Sequence, residues 1–128
     1  MIWWLLNCLH MPDIQYFIDQ IELELAAARA AAEAGNDGKV RVCARRAAGK
    51  ALSWYLSRHH HPDWGTDAVR QLLHAAEDQD FPQEARVAAQ RLTTKISDRF
   101  KYPFSTDPIE DARIIIETVI RRMKSDAS

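Results

Sequence analysis

Apolar positions recur at helical spacing in five stretches of this chain. Between about Asp13 and Ala34, the residues Ile14, Phe17, Ile18, Ile21, Leu25, Ala28 and Ala32 form one stripe. Glu22, Glu24, Arg29 and Glu33 lie outside it. Pro12 suits a helix start, and Gly35-Asn36-Asp37-Gly38 reads as a turn. The third stretch, about Thr66 to Glu77, places Val69, Leu72, Leu73 and Ala76 inward. The fourth opens at Pro82 and runs to about Arg99, with Ala85, Ala88, Leu92 and Ile96 inward. The fifth has a strong start: Asp107 as cap, Pro108 in the first helical position and Glu110 beyond it. It runs to about Lys124 with Ile109, Ala112, Ile115, Ile116, Val119 and Ile120 as its apolar set.

The second stretch, from about Lys39 to Arg58, is patterned differently. Val40, Cys43, Ala44, Ala47, Ala51, Trp54 and Tyr55 cluster on one side of a helix. Val42, Gly49, Leu52 and Leu56 cluster on the opposite side. A helix that is apolar on two faces is buried on two faces. The first side is expected to be core. The second is expected to form a seam against another helix, including one from a second copy of the chain. Gly49 costs about 1 kcal/mol in a helix interior relative to Ala, so close approach of another backbone is expected there. Arg41 and Arg45 fall on one flank between the apolar sides, Arg46 and Lys50 on the other.

Short connections make sequential helices antiparallel neighbours. The expected fold class is therefore all-α, an up-and-down bundle of about five helices. Residues 13–124 form the bundle, 1–12 an apolar N-terminal extension and 125–128 a polar tail. Met1-Ile2-Trp3-Trp4-Leu5-Leu6 is far too short to span a bilayer, which takes about 20 residues. It also lacks the charged start and small-residue cleavage site of a signal peptide. It reads as an upstream extension ahead of a more natural start at Met11, or as an arm that docks on the domain or a partner.

The chain has 128 residues, a size that fits one domain with one core. Its net charge of −1 provides no global field for nucleic acid, so such binding needs a local patch. Two cysteines, Cys8 and Cys43, make no disulfide framework, and a reduced, cytoplasmic setting is expected.

Candidate chemistry is sparse. Arg41, Arg45, Arg46 and Lys50 suit phosphate oxygens, or pair with Glu22, Glu24 or Glu33 of the neighbouring helix. Arg99, Lys101 and Tyr102 precede the start of the last helix, where free amides favour anions, although Asp107 and Asp111 already supply negative charge. Alternatively Phe100, Tyr102 and Phe104 simply plug the bundle end. His59-His60-His61, Asp63 and His74 lack metal-ligand spacing, so neither metal nor other cofactor is expected. Cys43 sits in an apolar stripe, where a thiol is usually inert, and Ser53 and Ser57 have no evident base.

Three features resemble the HEPN family of small helical-bundle proteins. The first is two long helices joined by the tight turn Gly35-Asn36-Asp37-Gly38. The second is the small-residue helix from Arg41 to Leu52. The third is Arg99-Phe100-Lys101-Tyr102-Pro103-Phe104, similar to an arginine-aromatic-proline stretch before the family's last helix. The likeness covers about Asp13 to Met123. It implies dimerisation through long helices, a nucleotidyltransferase partner and toxin–antitoxin pairing. Some members are metal-independent ribonucleases using an Arg followed four to six residues later by His. Here only Arg70-Gln71-Leu72-Leu73-His74 approaches that pattern, with a shorter gap. The expectation is thus a non-catalytic, homodimeric domain that binds a nucleotide, RNA or a nucleotidyltransferase, without membrane association. A purely structural bundle and a ribonuclease using Arg70 and His74 are the alternatives.

Overall fold

In the computed structural model the backbone is described for residues 2–96 and 102–127, and side chains for 14–96 and 102–126. The described residues form α1 (Ile2–Glu33), α2 (Asp37–Leu56), α3 (Ala68–Glu77), α4 (Gln83–Thr93) and α5 (Pro108–Ala127). A one-turn 3-10 helix, Pro62–Trp64, precedes α3. The all-helical expectation holds: the described residues contain no strand. No helix among them is long and apolar enough to cross a membrane.

α1 and α2 form a hairpin. Gly35 takes φ of 74°, while its N–H bonds to the Ala32 carbonyl and that of Asn36 to the Ala31 carbonyl. These paired bonds close a helix C-terminus through a left-handed glycine. Asn36 then caps α2, its Oδ1 accepting from the Lys39 N–H at 3.1 Å. This cap starts α2 at Asp37, two residues before the expected Lys39. Phe17 stacks near Trp54 and Glu24 pairs with Arg46, so contacts run backwards along the chain, as in antiparallel helices. α1 begins at Ile2 rather than near Asp13. Pro12 removes one ladder bond but does not end the helix, so residues 2–12 lie in the same element as the first bundle helix.

α2 lies at the centre and touches α1, α3, α4 and α5. Both apolar sides are covered, but by this chain. Gly49 faces Ala68 so closely that a Cβ on Gly49 would stand 2.6 Å from the Ala68 Cβ. Leu52 is fully buried and Leu56 half-buried. The close approach expected at Gly49 is thus to α3, and no second chain is needed to cover Gly49 or Leu52. Val42 is the exception and remains exposed.

α3 turns differently from its apolar pattern. Leu72 and Ala76 are buried as expected, but Val69 and Leu73 are exposed and Gln71 is buried instead. The Gln71 amide accounts for this: its Nε2 donates to the Gly65 carbonyl at 3.0 Å and to Ser53 Oγ at 3.3 Å. Together with the Gly49–Ala68 contact, it orients α3 on α2.

α4 stops at Thr93, well short of the expected Arg99. Thr93 and Thr94 bond back to the carbonyls of Ala89 and Gln90 with their hydroxyls, competing with the ladder. The Arg45 Nε also takes the Leu92 carbonyl at 2.6 Å, capping the helix end with a cation. The expected inward residues Ala85, Ala88 and Leu92 are buried. α5 buries Ala112, Ile115, Ile116 and Val119, with Ile109 and Ile120 half-buried.

Candidate functional site: the Arg41 cavity

Two of the expected anion-binding residues meet. Arg41 of α2 and Tyr102 of the connection before α5 line one cavity of about 490 Å³. The first turn of α5 closes another wall.

Tyr102 is fixed from behind. Its hydroxyl donates to Asp111 Oδ2 at 2.6 Å, and its ring meets Phe104 edge-on with centroids 4.9 Å apart. The Thr106 hydroxyl donates to the same oxygen at 2.9 Å. Asp111 is fully buried, and Arg91 of α4 completes the cluster by donating to both of its oxygens. Burial, then the Asp111 bond and charge, push the Tyr102 phenol far above its ordinary pKa. Tyr102 is therefore a neutral donor already engaged, and shapes the cavity rather than supplying charge to it. Asp111 lies four residues before Ile115 and eight before Val119, so a carboxylate stands in the apolar row of α5. That position was the sequence signal for this cluster.

Arg41 is the unusual group. Only 6% of it is exposed. Among the described residues it has no hydrogen-bond or ion-pair partner. Its guanidinium nitrogens keep some contact with solvent in the cavity, since Gln71 Oε1 is the side-chain polar atom that is fully buried and unsatisfied among the described residues. Three exposed carboxylates share the cavity with it: Asp37, Asp107 and Glu110. Asp37 even stands one helical turn before Arg41, where such pairs commonly form. Asp107 is instead occupied as the cap of α5, with Oδ1 accepting from the Glu110 N–H at 2.8 Å.

The other expected residues disperse. Arg45 is half-buried against the Leu92 carbonyl, and its pKa is lowered by burial and by the like charge of Arg41. Arg46 is largely exposed and pairs with Glu24 at 3.0 Å. Arg46 and Lys50 line a separate notch of about 250 Å³ beside Gly49 and Gln71. Arg99 and Lys101 lie outside the described residues. The flanks thus separate as expected, Arg41 and Arg45 toward Tyr102, Arg46 and Lys50 toward α3.

His59, His61 and His74 belong to an aromatic stack. His59 lies on Tyr55 with centroids 4.4 Å apart and bonds Asp126 at 2.5 Å. His61 stacks on Trp64 at 4.9 Å. His74 stacks on the same Trp64 at 5.8 Å, and its Nδ1 is 3.9 Å from Asp63. Among the described residues no hydrogen bond or ion pair joins Arg70 to His74. Nor do His, Cys, Asp and Glu there form a group of three able to hold a metal ion. The Cys43 thiol is buried and free.

Comparison with protein-family models, with curated proteins and with solved structures returns no match.

Proposed function

We propose that this chain is a non-catalytic, HEPN-like binding domain whose ligand presents an anionic group to Arg41. The observation that carries the reading is the Arg41 side chain, buried, without a partner among the described residues, and lining a cavity. A guanidinium offers a planar fork that suits a carboxylate or a phosphate. A nucleotide or RNA phosphate is the anion that the family resemblance implies. A cytoplasmic setting and a nucleotidyltransferase partner go with that resemblance. The ribonuclease alternative is weaker, because the ring of His74 is engaged by Trp64 and faces Asp63 rather than Arg70.

Titration calorimetry with inorganic phosphate, acetate and nucleotides tests this reading against Arg41→Gln. Binding by the wild type that the variant loses is the expected result. Absence of binding for every anion removes it.

A second reading, an interaction bundle or homodimer, draws on α1. Tyr16 and Leu23 stand seven residues apart on one face of that helix, and they are 55% and 65% exposed. A strictly monomeric species in light scattering at high concentration eliminates the homodimer.

A further inference from the structure

The charge pattern of the Arg41 cavity narrows what kind of anion can occupy it. Resting on the reading that Arg41 seats an anion, we infer that the ligand is a zwitterion of the free amino-acid class. Its carboxylate lies on Arg41 and its ammonium among the carboxylates that line the same cavity. Among the described residues, one cation and three carboxylates line the cavity together: Arg41 with Asp37, Asp107 and Glu110. A polyanion such as a nucleoside triphosphate would gain one guanidinium and be repelled by all three acids. A single carboxylate alone would satisfy Arg41 and leave the acidic lining uncompensated. A carboxylate and an ammonium on one small molecule complement both ends at once.

Arg41 is held by burial in α2, whereas Asp107 caps α5 and Glu110 lies in its first turn, a helix end that favours negative charge. Asp37 occupies the equivalent first turn of α2. None of the three makes an ion pair with Arg41, so the cavity separates charges that a bridging ligand would join. The ring of Phe104 adds an apolar wall, and aromatic faces attract ammonium groups. A volume of about 490 Å³ leaves room for an amino acid with a large side chain.

The test uses the full chain and calorimetric or ligand-observed NMR titration. The probes are the standard amino acids one at a time, their deaminated carboxylic acids, inorganic phosphate and ATP. At least one amino acid is expected to bind about tenfold or more tightly than its deaminated analogue. In Asp37→Asn/Glu110→Gln, which alters only exposed side chains, that preference falls to near unity. Arg41→Gln, checked for folding by circular dichroism, loses both ligands. Equal binding of the amino acid and its deaminated analogue, or tighter binding of phosphate or ATP, overturns the zwitterion inference and leaves the anion site standing. Binding of none of the probes overturns both.

Discussion

The Asp111 carboxylate receives the Arg91 guanidinium as a fork, with Nε at 2.9 and 3.1 Å and Nη2 at 2.6 Å. The pair joins α4 to the first turn of α5 across a chain separation of 20 residues. Its two ends are unequal. Asp111 has no exposure, while the Arg91 side chain keeps 20% of its surface.

Removing Arg91 strands a buried carboxylate, so Arg91→Met is expected to cost about 3–5 kcal/mol in urea denaturation. Adding Asp111→Leu takes away the stranded charge, and the double variant should recover part of that loss despite freeing Tyr102 and Thr106. A double variant less stable than Arg91→Met would contradict this account of the pair.

Gly49→Ala sets two effects against each other. Alanine gains about 1 kcal/mol of helix propensity. Its Cβ, however, would stand 2.6 Å from the Ala68 Cβ and 3.1 Å from the Ala68 Cα. Overpacking of this kind costs about 1–3 kcal/mol, so a net loss is expected. Ala68→Gly in the same chain should restore stability. A more stable Gly49→Ala protein would mean that α3 stands further from α2.

Alkaline pH should destabilise the fold through its tyrosines. Burial raises the pKa of Tyr55, and burial with the Asp111 bond raises that of Tyr102. In the unfolded chain both ionise near pH 10. The protonated folded forms therefore contribute stability that is complete below about pH 10 and declines as pH climbs above it. Phenolate absorbance near pH 11 should show fewer ionised tyrosines in the folded protein than in urea. Tyr102→Phe should flatten the alkaline loss, and an unchanged profile would place the effect elsewhere.

Arg41 is expected to add nothing to the stability of the empty fold. Among the described residues its guanidinium has no partner, so Arg41→Met should leave the ligand-free domain at least as stable as the wild type. Thermal denaturation without ligand measures this. A destabilised variant would show that the guanidinium already has a compensating partner.

The helical framework was legible in the sequence because apolar spacing reports a helix's own buried face. The α1–α2 turn, the Asp107 cap and the inward rows of α4 and α5 follow from neighbours close in sequence. The two flanks of α2 were also correctly separated. What sequence periodicity does not carry is contact between distant elements. Arg45 reaches the Leu92 carbonyl 47 residues away, and a backbone carbonyl has no residue signature. Gln71 displaces Val69 and Leu73 from the buried side of α3 because its amide finds Gly65 and Ser53. The candidate site is half visible in the sequence: charge and position single out Arg41 and Tyr102, but only packing distinguishes Arg41, without a partner among the described residues, from Tyr102, already bonded to Asp111.

The central placement of α2 has a consequence for how the molecule breathes. α1 touches only α2 and, slightly, α5, so it can separate while the contacts of α2 with α3, α4 and α5 persist. α2 has no comparable partial release, since it touches every other described helix and supplies the main packing partner of α1 and α5. In hydrogen exchange, α1 amides should therefore exchange through local opening. Amides around Ala47 and Ala51 should exchange only as fast as the whole chain unfolds.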